Sequence, residues 1–98
     1  MIYSYELLLA AEQEYKDSLI WYRKRSRVAA ENFAAIIQNG ISKICADPVR
    51  FKVPYKDYHE LTLTKYPFCI VYKIDDKRHM VIIIAIYHQH RNPQNRYR

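Results

Sequence analysis

The last strand of the chain hands over to a tail crowded with titratable and cationic side chains: His88, His90 and Arg91, then Arg96 and Tyr97. Cleavage of RNA through the ribose 2′-hydroxyl needs a base to take its proton, an acid for the leaving oxygen and a cation for the crowded phosphate. Histidine titrates near neutrality and arginine grips phosphate in a planar fork, so this tail holds suitable parts. The same residues have a plainer reading. In it His88 packs against the sheet and hydrogen-bonds backbone, while the arginines bind an anionic partner. Spacing alone favours the plainer one.

A second cationic group, Arg50, Lys52 and Lys56, is interleaved with aromatic rings around Val53-Pro54-Tyr55-Lys56-Asp57-Tyr58-His59. Such rings stack on bases or pack onto a partner. The 10 tyrosines of the chain also suit a small core whose edges are covered by amphipathic rings. Other chemistries find fewer parts. His88 and His90 are two residues apart and share one side of an extended chain, but no carboxylate or thiol lies nearby in sequence to complete a metal site. Cys69 lies in an apolar run, where burial raises a thiol pKa instead of activating it. With Gly40 as the one glycine, a glycine-rich phosphate loop is excluded. Neither a metal nor a cofactor is expected.

The 98 residues suffice for one domain, with 1–98 read as a single unit, and half of them are apolar. Net charge is +6. It is unevenly placed: Glu6, Glu12, Glu14 and Asp17 outnumber Lys16 in the first 22 residues, while Arg23, Lys24, Arg25 and Arg27 open a basic remainder. A small basic domain meets something anionic, either nucleic acid or an acidic protein segment, unless the charge serves solubility alone. No apolar run reaches the length of a membrane helix, and the N-terminus lacks the features of a signal peptide, so the chain reads as cytoplasmic and free of the membrane. Two cysteines without ligand spacing read as buried thiols in a reducing compartment.

The elements that position these residues follow from periodicity. Ile2-Tyr3-Ser4-Tyr5 alternates and predicts a short first strand. Over residues 7–24, Leu8, Ala11, Tyr15, Leu19 and Tyr22 fall on one helical stripe, with Trp21 almost opposite. Ser26 is a suitable N-cap for a second helix to about Ala46, burying Ala29, Phe33, Ile36, Ile37, Gly40, Ile41 and Ile44 and stopped by Asp47-Pro48. Gly40 inside that face implies close approach to a neighbour. Residues 49–58 read as a loop containing Pro54. The alternation of residues 59–64 predicts a strand with Leu61 and Leu63 inward and Thr62 and Thr64 outward. Residues 68–74 and 80–86 read as a hairpin turning at Asp75-Asp76-Lys77-Arg78, with Phe68, Ile70, Tyr72 and Ile74 on one face and Ile82 and Ile84 in the core. The order is one strand, a two-helix hairpin, then an antiparallel three-stranded meander packed on the helices, an α+β arrangement.

Lys65-Tyr66-Pro67-Phe68, Ile70-Val71-Tyr72 and Ala85-Ile86-Tyr87-His88-Gln89-His90-Arg91-Asn92-Pro93 together resemble the signature of the RelE/ParE toxin superfamily, also called plasmid-stabilisation proteins. Element order and length agree with that family's fold along nearly the whole chain, with Trp21-Tyr22 standing for the aromatic pair that ends the first helix. The resemblance implies a toxin of a type II toxin–antitoxin pair, bound by a cognate antitoxin whose segment folds on the toxin, in a heterotetramer or higher complex. Its target would be DNA gyrase, for a ParE-like inhibitor that is not an enzyme, or mRNA on the ribosome, for a RelE-like endonuclease. A decayed interaction module that keeps only the fold is the third reading. His88 matches the family histidine, Arg91 the arginine of its H-x-x-R, and Tyr97 stands in for the C-terminal tyrosine of the nucleases. Under the nuclease reading these three are catalytic; Arg50, Lys52, Lys56, His90, Arg91 and Arg96 would contact nucleic acid or a partner. Ribosome-dependent members carry an arginine three residues before the strand tyrosine, where this chain has Cys69. That departure tips the expectation toward gyrase inhibition.

Overall fold

The structure, a computed structural model, describes residues 2–90 and Tyr97. Arg91 and Arg96, both expected at the site, lie outside the described residues.

The chain runs β1 (Ser4–Leu7), α1 (Leu9–Arg25), α2 (Arg27–Ala46), a 3₁₀ turn at Pro48–Arg50, then β2 (Lys52–Tyr55), β3 (Tyr58–Thr62), β4 (Phe68–Asp75) and β5 (Met80–His88). The strands form one sheet in the order β1-β5-β4-β3-β2, with β1 parallel to β5 and every other pair antiparallel. The α+β arrangement of a first strand, a helical hairpin and an antiparallel meander is as the sequence predicts. The meander has four strands, not three. Residues 52–55 form an edge strand where a loop was expected, because Pro54 needs no ladder donor at an edge and the pairing with β3 shifts register between Lys52 and Tyr55.

Ser26 joins the helices. Its hydroxyl accepts from the Ala29 amide at 3.2 Å, capping α2, while its own amide donates to the Tyr22 carbonyl at the end of α1. α2 buries Phe33, Ile37, Gly40, Ile41, Ile44 and Cys45 against the sheet. Tyr15, Tyr22, Phe33, Tyr66 and Phe68 form an aromatic layer between the helices and the meander, with Phe33 and Phe68 centroids 4.9 Å apart. Two further hydroxyls pin the layers together: Tyr66 donates to the Ala29 carbonyl at 2.9 Å and Tyr72 to the Pro48 carbonyl.

Two core expectations need correction, Leu8 and Ile82, while Ile84 is buried as expected. Leu8 is 38 % exposed, since it occupies the N-cap of α1 instead of the helical stripe. Ile82 is half-buried, and with Ile84 it belongs to the face away from the helices. A bulge makes the difference: Val71 pairs with Ala85 but Tyr72 with Ile83, so one extra residue shifts the alternation of β5. Val81 and Ile83 therefore face the helices before the bulge and Ile86 after it.

Candidate functional site on the outer face of the sheet

Alternation sends Tyr58, Glu60 and Thr62 of β3 to the face opposite the helices, and His59 and Leu61 toward the core. Register then decides the neighbours. Lys52 lies opposite Glu60, Thr62 opposite Cys69, and Cys69 opposite Tyr87. Tyr97 folds onto this face, its ring 5.0 Å from Tyr55 and 5.2 Å from Tyr58. The result is an open depression of about 520 Å³ lined by Lys52, Glu60, Thr62, Cys69, Tyr87 and Tyr97 together with Pro54 and Gln89.

Glu60 lies at its centre. The residue is 7 % exposed, and its carboxylate meets Lys52 Nζ at 3.6 Å, accepts from Tyr87 Oη at 3.3 Å and from Tyr97 Oη at 3.5 Å. A carboxylate this far from water requires donors, and here two phenols, one ammonium and the Cys69 thiol supply them. All three distances exceed the roughly 2.5–2.9 Å of tight charge-assisted bonds, so the donors surround the carboxylate without saturating it. Beside it, burial pushes the Cys69 thiol above its ordinary value, as expected for a structural thiol and not a nucleophile.

His88 sits elsewhere. Alternation at the end of β5 turns it to the helix side, where it lines a separate hollow with Glu14, Asp17, Ser18 and Trp21. Its ring meets Phe68 edge-on at 5.2 Å, and its Nδ1 accepts from the His90 amide at 3.1 Å. The neutral ring thus carries its proton on Nε2. His90 is exposed, with its ring 5.8 Å from that of His88. Arg50 is exposed on the 3₁₀ turn with its guanidinium 5.4 Å over Phe51, and Lys56 occupies the β2–β3 turn at φ 48°, its ammonium 5.2 Å over Tyr55.

Of the residues singled out from the sequence, the structure thus brings Lys52 and Tyr97 into one depression, places His88 in another and leaves His90 exposed near His88. Sequence reasoning missed Glu60 and Tyr87. The signal for Glu60 was its alternation with Thr62, but its meeting with Lys52 depends on β2, which Pro54 concealed. Among the described residues no three histidine, cysteine or acidic side chains converge as metal ligands. No helix among them is long and apolar enough to cross a membrane.

A helical hairpin on one face of a five-stranded sheet is a fold this chain shares with solved RelE toxins. The structure superposes on the toxin–antitoxin complex RelBE2 from Mycobacterium tuberculosis with a TM-score of 0.62 at 15% identity, covering 90% of this chain and 92% of that one. A free-state mutant of the Escherichia coli toxin RelE gives 0.63 at 16% identity, covering 92% and 86%. The intact E. coli RelBE toxin–antitoxin complex gives 0.62 at 16%, covering 91% and 99%. These likenesses are of fold. No curated protein matches the sequence. The family described as ParE toxin of type II toxin–antitoxin system, parDE, matches over residues 5–93, and the chain belongs to it, within the RelE/ParE superfamily.

Proposed function

We propose that this toxin-family chain acts by binding a protein, as a ParE-like inhibitor of DNA gyrase, and that a cognate antitoxin neutralises it in a heterotetramer or larger complex. The observation that carries this reading is the carboxylate at the centre of the outer-face depression. A ribonuclease needs net positive charge where the scissile phosphate sits. Among the described residues lining the depression, the one cation is Lys52, and it is paired with buried Glu60. Cys69 lines the same depression at the sequence position where ribosome-dependent relatives carry arginine. A phosphate entering here would meet an anion, the single ammonium already paired with it, and a thiol. The basic remainder of the surface suits an acidic antitoxin segment that folds as it binds.

Two assays on the purified protein test the proposal. DNA supercoiling by gyrase should be blocked, while mRNA on programmed ribosomes stays intact. Ribosome-dependent cleavage that is abolished in His88→Ala, with gyrase unaffected, would overturn the reading in favour of an mRNA endonuclease.

A further inference from the structure

Glu60 is a carboxylate that the fold keeps dry, at 7% exposure. Substitution by an apolar residue would spare the desolvation, and replacing buried ion pairs in this way is commonly neutral or stabilising. Its present partners hold it loosely: Lys52 at 3.6 Å from Oε2, and Tyr87 and Tyr97 hydroxyls at 3.3 and 3.5 Å from Oε1. The Cys69 thiol reaches the carboxylate as well, and none of the three measured contacts has the short geometry of a committed charge-assisted bond. Lys52 is also the partner most easily moved, since 62% of its side chain is in solvent.

The surroundings select the shape of what would replace it. Tyr87 and Tyr97 reach the carboxylate with their hydroxyls, their rings line the same depression, and Thr62 adds a hydroxyl on the same strand face. A planar guanidinium presents paired N–H groups that match two carboxylate oxygens and a flat face that stacks on phenol rings; an ammonium offers neither. The opening of the depression to solvent admits a side chain from outside, and Glu60 is the one anion among its described lining residues, on a molecule of net charge +6.

We infer that the Glu60 depression is a receptor for an arginine side chain of the bound protein, with Lys52 as the internal occupant that it displaces. The inference rests on the protein-binding reading above and adds the chemistry of the contact. In a complex, the arginine would form the two-pronged pair with Glu60 that Lys52 cannot, and Lys52 would swing outward to meet acidic groups on the partner's rim.

The test uses the isolated chain and N-acetyl-arginine amide as probe, followed by amide chemical shifts, with N-acetyl-lysine amide and inorganic phosphate as comparators. The arginine probe should shift the amides of residues 60, 62 and 87 saturably and bind more tightly than the lysine probe. Glu60→Gln should abolish those shifts. Lys52→Ala should tighten binding by about two- to five-fold, because it removes a weak, largely solvated competitor. The opposite signs of the two variants guard against a folding artefact. Binding unchanged in Glu60→Gln, or weakened in Lys52→Ala, would overturn the inference. Phosphate shifting the same amides, with loss in Lys52→Ala, would do so too and would identify an anion site. Gyrase plays no part in these titrations, so their failure is separable from failure of the supercoiling assay.

Discussion

Gly40 of α2 stands over Ile70 of β4 so closely that a Cβ on the glycine would come within 3.0 Å of Ile70 Cδ1. Leu63 and Leu61 would follow at 3.4 and 3.5 Å. The hydrogen at this position therefore sets how near the helical layer approaches the meander. Alanine gains roughly 1 kcal/mol of helix propensity and loses a comparable amount by pushing Ile70, which is fully buried. Gly40→Ala should shift unfolding free energy by less than about 1 kcal/mol, whereas Gly40→Leu should lose about 1–3 kcal/mol or more. Denaturant titrations of the two variants check both values.

Ser26 caps α2 in an exposed turn, with its hydroxyl 3.2 Å from the Ala29 amide. Ser26→Ala should cost about 1 kcal/mol, and Ser26→Asp should retain most of it. Thermal melts of the pair separate capping from any effect of the neighbouring cations.

Tyr72 is completely buried and donates to the Pro48 carbonyl, tying β4 to the turn that follows α2. Burial raises this phenol well above the ordinary 10.0, with Asp47 adding to the shift, and burial likewise raises the thiols of Cys45 and Cys69 above 9.0. In each case the unfolded chain loses its proton at lower pH than the folded one. Their contribution to stability is thus intact below about pH 9 and lost progressively as pH rises through the ordinary values toward the raised ones. Tyr72→Phe should cost about 0.5–1.5 kcal/mol near neutrality and flatten the alkaline loss. Unfolding curves from pH 7 to about 11 would show a parallel decline in both proteins if Tyr72 were not responsible.

Glu60 and Lys52 form an ion pair with one exposed member, so its contribution to folding is small. Glu60→Gln should change stability by less than about 1 kcal/mol, since the amide keeps an acceptor for the tyrosine hydroxyls and sheds the desolvated charge. A loss of several kcal/mol in equilibrium unfolding would instead make Glu60 a structural keystone.

The tail after β5 separates the two target classes. For a gyrase inhibitor, truncation after His88 or Arg91→Glu should weaken inhibition on the order of tenfold or more, because binding energy concentrates in arginine and aromatic anchors. His88→Ala should have a far smaller effect on supercoiling. For an endonuclease the ranking reverses, with His88→Ala lowering cleavage by about 10² or more.

Local structure was legible in the order of the residues. Period 3.6 with a serine cap and an Asp-Pro stop wrote α2 almost to the residue, and Gly40 announced a close approach whose partner proved to be Ile70. Alternation in β3 placed Leu61 inward and Thr62 outward, and the motifs of the last third named the superfamily. Pairing was left to the tertiary structure, because register is a relation between segments distant in the chain. One edge proline hid β2, and with it the meeting of Lys52 and Glu60. One extra residue at Ile84 reversed the faces of β5 and so exchanged Ile82 for Ile83 in the core beneath the helices. Two residues of tail chemistry, His88 and Tyr97, looked like partners in sequence; the pleat at the end of β5 turned His88 toward the hollow on the helix side, while Tyr97 folds onto the opposite face of the sheet.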